Sequence, residues 1–166
     1  RTGILDVLHR MGAHITLANY RHAGKEPVAD MEIEASRLVA TTIDADILPR
    51  LIDEIPVLAV AALFADGRTV ISGAEELRVK ETDRLRALVT ELGKMGAQIT
   101  ETADGLIIEG PQRVKSATCD ANTDHRIALA LAVAGMAGEG AVISGAECVA
   151  ISYPDFFSEM TRIGQL

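Results

Sequence analysis

Tryptophan is absent from this chain of 166 residues, and Tyr and Phe contribute only two and three positions. So few aromatics exclude the stacking platforms on which single-stranded nucleic acids are held. Positive charge is also scarce: 16 Lys and Arg stand against 24 Asp and Glu, a formal net charge of −8. A general nucleic-acid binder would need a basic stripe instead. There are two cysteines, Cys119 and Cys148, 29 residues apart and in no metal-binding spacing. They read as reduced thiols. The longest apolar runs, at 57–65 and 127–137, fall well short of the ~20 residues needed to cross a bilayer. A secretory apolar region is missing too. The chain is therefore expected to be soluble and cytosolic, with neither nucleic acid nor membrane as partner.

What remains is 48% apolar, drawn from Ala, Val, Leu, Ile and Met. This length suits one domain that buries about 70% of its unfolded surface. The sequence opens at Arg1, without Met and already in helical pattern, and so reads as part of a longer polypeptide.

Internal repetition organises the chain. Val70-Ile71-Ser72-Gly73-Ala74-Glu75 recurs unchanged 72 residues later as Val142-Ile143-Ser144-Gly145-Ala146-Glu147. Met11-Gly12-Ala13 is echoed by Met95-Gly96-Ala97, and Arg162-Ile163-Gly164 looks like a third copy cut short. A unit of roughly 70 residues is thus expected about twice, with part of a third. Segments 2–10 and 83–94 space their apolar residues three and four apart, as in a helix lying on a sheet. The Met-Gly after each is a helix stop. Asp104-Gly105, flanked by segments 97–101 and 106–109, signals a hairpin. Alternating Ile and Glu at 31–35 suggest a half-exposed strand. Segments 56–65 and 127–137 have no polar face, and a helix apolar all round is buried all round. Two such helices, each leading into a Val-Ile-Ser-Gly strand, imply an α/β fold with sheets wrapped outside central helices.

Chemistry is expected where these helices begin. Asp53 and Glu54 precede Pro56, and their ordinary role would be capping and complementing the helix dipole. Asp124 has the same ordinary role. His125-Arg126 does not fit, because cations at the positive end of a helix are locally unfavourable. Either an anionic ligand binds there or Arg126 pairs with a carboxylate elsewhere. The third cluster is Arg78-Val79-Lys80-Glu81-Thr82-Asp83-Arg84. It could be a solvated charged turn in which Thr82 or Asp83 caps the next helix.

The order of that cluster closely resembles the R-V-K-E-[ST]-D-R signature of the 5-enolpyruvylshikimate-3-phosphate synthase family. Asp53-Glu54-Ile55-Pro56-Val57-Leu58-Ala59 before it, and Thr123-Asp124-His125-Arg126-Ile127-Ala128 and Ser152-Tyr153-Pro154-Asp155-Phe156-Phe157 after it, agree in order. The resemblance implies an inside-out α/β barrel built from βαβαββ repeats. Residues 1–166 would be part of the C-terminal domain, about two units and part of a third, with the N-terminal domain as the missing partner. It also implies carboxyvinyl transfer from phosphoenolpyruvate to the 5-hydroxyl of shikimate 3-phosphate, without metal or organic cofactor. By the same resemblance Asp53 is the base and, with Lys80, holds shikimate 3-phosphate. Glu81 is the acid that protonates the methylene carbon, with Lys80 as its competitor. Arg84 and Arg126 grip phosphoenolpyruvate, and His125 is a site residue of less defined role.

One departure stands out. Many members carry a Lys that contacts phosphoenolpyruvate where this chain has Ile151, and a Trp where it has Leu77. A second class, which includes glyphosate-insensitive enzymes, lacks both, and the chain leans toward it. Two other readings are the sister transferase acting on UDP-N-acetylglucosamine, where the Lys80–Arg84 block is not expected, and a non-catalytic anion-binding module.

Overall fold

The computed structural model describes residues 2–164. Helix α1 (Gly3–Arg10) leads into a long hairpin of β1 (His14–Ala23) and β2 (Glu26–Glu34). Strand β3 (Thr42–Ile43), helix α2 (Ile55–Leu63) and strand β4 (Gly67–Ile71) follow. Next come helix α3 (Arg84–Lys94) and the short hairpin β5 (Ile99–Glu101) and β6 (Leu106–Gly110). The chain then continues through β7 (Ala117–Asp120), α4 (His125–Ala137), β8 (Ala141–Ser144) and α5 (Phe156–Ile163). The order β-α-β-α-β-β runs once without interruption, from β3 to β6. Before it stands α-β-β, and after it β-α-β-α.

Two crossings repeat one another. Strands β3 and β4 are parallel with α2 between them, and β7 and β8 are parallel with α4 between them. The larger sheet has the order β3-β4-β6-β5. Helix α2 lies inside, packed on α4, α3 and β6. Its Leu58, Ala59, Ala62 and Leu63 are each at most 1% exposed. Having no polar face, it gains from being covered on every side, at about 1.5–3 kcal/mol for each fully buried Leu or Val. No described helix is long and apolar enough to cross a membrane.

Helix α4 is a partial exception to the expected burial. Ile127, Ala130, Leu131 and Ala134 are sealed, whereas Met136 is 47% exposed. The reason lies in the sheets. The hairpin β5–β6 covers α2, while the sheet beside α4 has only β7 and β8 among the described residues. The strand expected at 31–35 belongs to β2, and it is not half-buried: Met31 and Ile33 are 49% and 66% exposed. Strands β1 and β2 pair only with each other among the described residues, and most of their residues are exposed.

Both Met-Gly stops are as read, with Gly12 and Gly96 at φ +86° and +84°. Helix α5 ends at Gly164 with φ −71°, so the third copy repeats the helix without the left-handed stop. The Asp104-Gly105 turn forms, for a different reason than the usual hairpin rule. A Cβ on Gly105 would lie 1.9 Å from the carbonyl oxygen of Ile71. Glycine is needed there for close approach of two backbones.

Candidate functional site

Helices α2, α3 and α4 bring their N-terminal ends to one place, and a buried arginine joins them. Arg84, the first residue of α3, is 1% exposed. Its Nε donates to Asp124 Oδ2 at 2.7 Å, and Nη2 donates to Asp124 Oδ1 at 3.3 Å. Nη2 also donates to Glu81 Oε2 at 2.7 Å, and Nη1 donates to Asp53 Oδ1 at 3.2 Å. One planar guanidinium therefore ties carboxylates from the approaches to three helices, a geometry that lysine could not reproduce. Burial alone would push the pKa of Arg84 down. The hydrogen bond and charge of Asp124, with Glu81 and Asp53 behind it, more than offset this and hold it above its ordinary value.

Arg126 is held more loosely. Its Nη2 is 4.0 Å from Asp53 Oδ2 and its Nη1 is 3.8 Å from Glu54 Oε1. These are ion-pair distances, too long for hydrogen bonds. The other oxygen of Glu54, Oε2, is buried without a hydrogen-bond partner among the described residues. A cavity of about 180 Å³ opens beside these groups, with Asp53, Glu54 and Arg126 at its polar end and Leu129, Tyr153 and Phe156 among its apolar walls.

Of the site residues read from the sequence, Asp53, Glu81, Arg84 and Arg126 lie together. Lys80 does not join them here: its Nζ is paired with Glu76, one helical turn back on the 3₁₀ segment Glu75–Val79. His125 is the half-buried first residue of α4, and its side chain makes no hydrogen bond or ion pair among the described residues. The capping reading holds for two helices and fails for the third. Asp83 accepts the Arg86 N–H at 3.1 Å and Asp124 accepts the Arg126 N–H at 2.8 Å. Helix α2 has no side-chain cap, and Asp53 and Glu54 face the arginines instead. For Arg126, the structure contains the ion pair with carboxylates elsewhere. Ile151 is 83% exposed at the end of the 3₁₀ segment Ala146–Ile151, and Leu77 is fully buried.

Asp124 was legible only as a cap, yet it is fully buried and is the principal partner of Arg84. A signal for this existed. Arg84 shares a helix face with Leu88, Glu91 and Met95, all buried, so its charge had to meet a carboxylate inside the fold. A second network braces the start of α3 from outside. Arg78 Nη1 donates to Glu101 Oε1 at 2.7 Å and to Asp83 Oδ2 at 3.0 Å. The Arg78 hydrogen bond, helped by Arg86, holds the Glu101 carboxyl below its usual range against the effect of burial. A lowered carboxyl pKa adds stability that is present above the unfolded value, ~4.3, and is lost as pH falls through the folded value. Urea midpoints measured between pH 6 and pH 3 should therefore fall more steeply for the wild type than for Glu101→Gln. Parallel curves would remove Glu101 from the acid response.

Comparison with known proteins follows the same lines. The family model for EPSP synthase (3-phosphoshikimate 1-carboxyvinyltransferase) matches residues 1–160. The 3-phosphoshikimate 1-carboxyvinyltransferase of Synechocystis sp. (strain ATCC 27184 / PCC 6803 / Kazusa) is 54% identical over 166 residues, covering 99% of this chain and 37% of that protein. That of Thermoanaerobacter sp. (strain X514) is 54% identical over 158 residues, with 95% and 37% covered. Among solved structures, EPSP synthase from Acinetobacter baumannii superposes with a TM-score of 0.91 at 40% identity, over 99% of this chain and 39% of that one. The enolpyruvyl transferase NikO from Streptomyces tendae gives a TM-score of 0.74 at 23% identity, over 98% and 35%, a likeness of fold alone. The chain thus spans a little over a third of the length of the curated relatives it matches.

Proposed function

Because this chain belongs to the EPSP synthase family, we propose that it supplies one side of an active site for carboxyvinyl transfer. The donor is phosphoenolpyruvate, the acceptor is the 5-hydroxyl of shikimate 3-phosphate, and inorganic phosphate leaves. The fold is the inside-out α/β architecture of the enolpyruvyl transferases. The observation that carries the proposal is the meeting of Asp53, Glu81, Arg84 and Arg126 at the shared helix ends.

The chemistry follows from which of these groups can be reached. Both substrates are multiply anionic, so guanidinium groups are their natural holders. Of Arg84's three carboxylate partners, Glu81 is 47% exposed, against 20% for Asp53 and 0% for Asp124. An incoming phosphate or carboxylate reaches Arg84 by taking Glu81's place. Glu81 is thereby released beside the bound phosphoenolpyruvate, where as the acid it delivers a proton to the methylene carbon. Asp53 accepts the proton of the 5-hydroxyl as that oxygen bonds to the adjacent carbon. Loss of a proton from the new methyl group and departure of phosphate then restore the double bond. Lys80, once it leaves Glu76, can hold shikimate 3-phosphate or compete with Glu81 as acid. His125 lies next to Arg126 at the same helix start. The rest of the anion-holding groups would come from the N-terminal domain as partner, with no metal or cofactor required.

A chimera tests this. The present chain replaces the matching 37% of the Synechocystis relative, and phosphate release is followed with both substrates. Turnover is expected, and Asp53→Ala should abolish it. A folded chimera that releases no phosphate beside an active parent would refute the proposal.

A further inference from the structure

The two arginines of the anion site have a common attachment to which the sequence reading gave no role beyond capping a helix. We propose that Asp124 is a positioning residue that sets Arg84 and Arg126 at a fixed distance and angle, and so matches them to the two charged ends of phosphoenolpyruvate. The inference rests on the reading that these arginines bind that substrate.

Three observations carry it. Asp124 is 0% exposed, so substrate in solvent does not meet it directly. Its Oδ2 accepts from Arg84 Nε at 2.7 Å, and its Oδ1 is 3.3 Å from Arg84 Nη2, so two parallel bonds fix the plane of the guanidinium. The same Oδ1 accepts the backbone N–H of Arg126 at 2.8 Å, which fixes the first turn of α4 and the point from which the Arg126 side chain departs. A single carboxylate thus holds one arginine by its head and the other by its backbone. Arg84 comes from α3 and Arg126 from α4, and this bridge joins them across 40 residues of chain, with Asp53 facing both side chains from the approach to α2.

Function and packing can be separated because capping and charge are separable. Asparagine caps a helix about as well as aspartate, but its neutral amide cannot form the paired, charge-assisted contact with a guanidinium. In the chimera, Asp124→Asn leaves Arg84 its bonds to Glu81 and Asp53, so the thermal midpoint should fall less than it does for removal of Arg84 itself. Its kcat/KM for phosphoenolpyruvate should fall by roughly 100-fold, the scale of a small misplacement of a binding group. The KM for shikimate 3-phosphate should stay within about threefold. Arg84→Lys, which retains the charge but not the fork, should give the same substrate-selective loss even if Asp124→Asn fails to fold.

Equal losses for both substrates, or a lowered midpoint with normal phosphoenolpyruvate kinetics, would make Asp124 structural only and overturn the proposal. So would an Arg84→Lys chimera with unchanged phosphoenolpyruvate KM. A third variant, Arg126→Gln, separates the two levels. If it raises the phosphoenolpyruvate KM while Asp124→Asn is silent, the positioning role alone falls. If Arg126→Gln is itself silent, the anion-site reading falls and takes the positioning role with it.

Discussion

The purified 166-residue chain, given both substrates, should release no measurable phosphate, although the chimera containing it is expected to turn over. The loss is expected to span many factors of ten. Orientation of reacting groups supplies up to ~7–11 kcal/mol of a barrier reduction, and each 1.36 kcal/mol is tenfold in rate. Here the groups lie at an open face: Glu81 is 47% exposed and Arg126 is half-buried. Water screens the arginines at such a face, and no opposing surface holds the acceptor hydroxyl over Asp53. Weak, salt-sensitive binding of phosphate at Arg126 can survive this. The measurement is phosphate release at high enzyme concentration, with Asp53→Ala as the control for contamination. Turnover that disappears in Asp53→Ala would show that this side of the site suffices.

Removing Arg84 should cost the molecule several kcal/mol of stability. In Arg84→Met, the carboxylate of Asp124 would remain fully buried beside Asp53 and Glu81 with its principal cation gone. Breaking a buried pair from one side costs about 3–5 kcal/mol, because the stranded charge has no solvent to turn to. Methionine fills much of the space, so lost volume is not the main effect. Urea unfolding at pH 7 should show the deficit, and lowering the pH should narrow it, since protonation removes the stranded charge. A midpoint shift worth less than about 1 kcal/mol would mean that water reaches the cluster.

Much of the fold was legible because burial leaves a periodic trace. Helix α2 has no polar face and is buried except at the half-buried Val57 and Ala61, and the stops at Gly12 and Gly96 stand where Met-Gly was read. Periodicity tells which face is apolar, not what will cover it. That is why the exposure of Met136 on α4, and of Met31 and Ile33 on β2, was not foreseen. Gly105 shows the same limit at a turn: the dipeptide announced a hairpin, while the true constraint was the backbone of Ile71. In the site, residues alone pointed to helix ends and to a misplaced cation at Arg126. The resemblance gave roles to Asp53, Lys80, Glu81 and Arg84, which the residues alone marked only as a cap and a charged turn. Neither revealed Asp124 as a bridge, because its partner lies 40 positions away and on another helix. The orientation of Lys80 toward Glu76 was equally invisible, since a flexible side chain chooses among carboxylates by distance.

Each of the two central helices is entered past an aspartate, but not at the same point. Asp124 is the N-cap of α4, whereas Asp53 lies one position before the N-cap of α2, Glu54. Their surroundings differ accordingly. The later one is locked into its helix start and is fully buried, while the earlier one sits on a 3₁₀ turn, Ile52–Glu54, and is 20% exposed. A single such residue would have to serve both as scaffold and as reagent, and rigidity for the first task would close it to the second. With two the tasks can be divided: one aspartate keeps the arginine in place and, on the proposed function, the other is left within reach of a substrate.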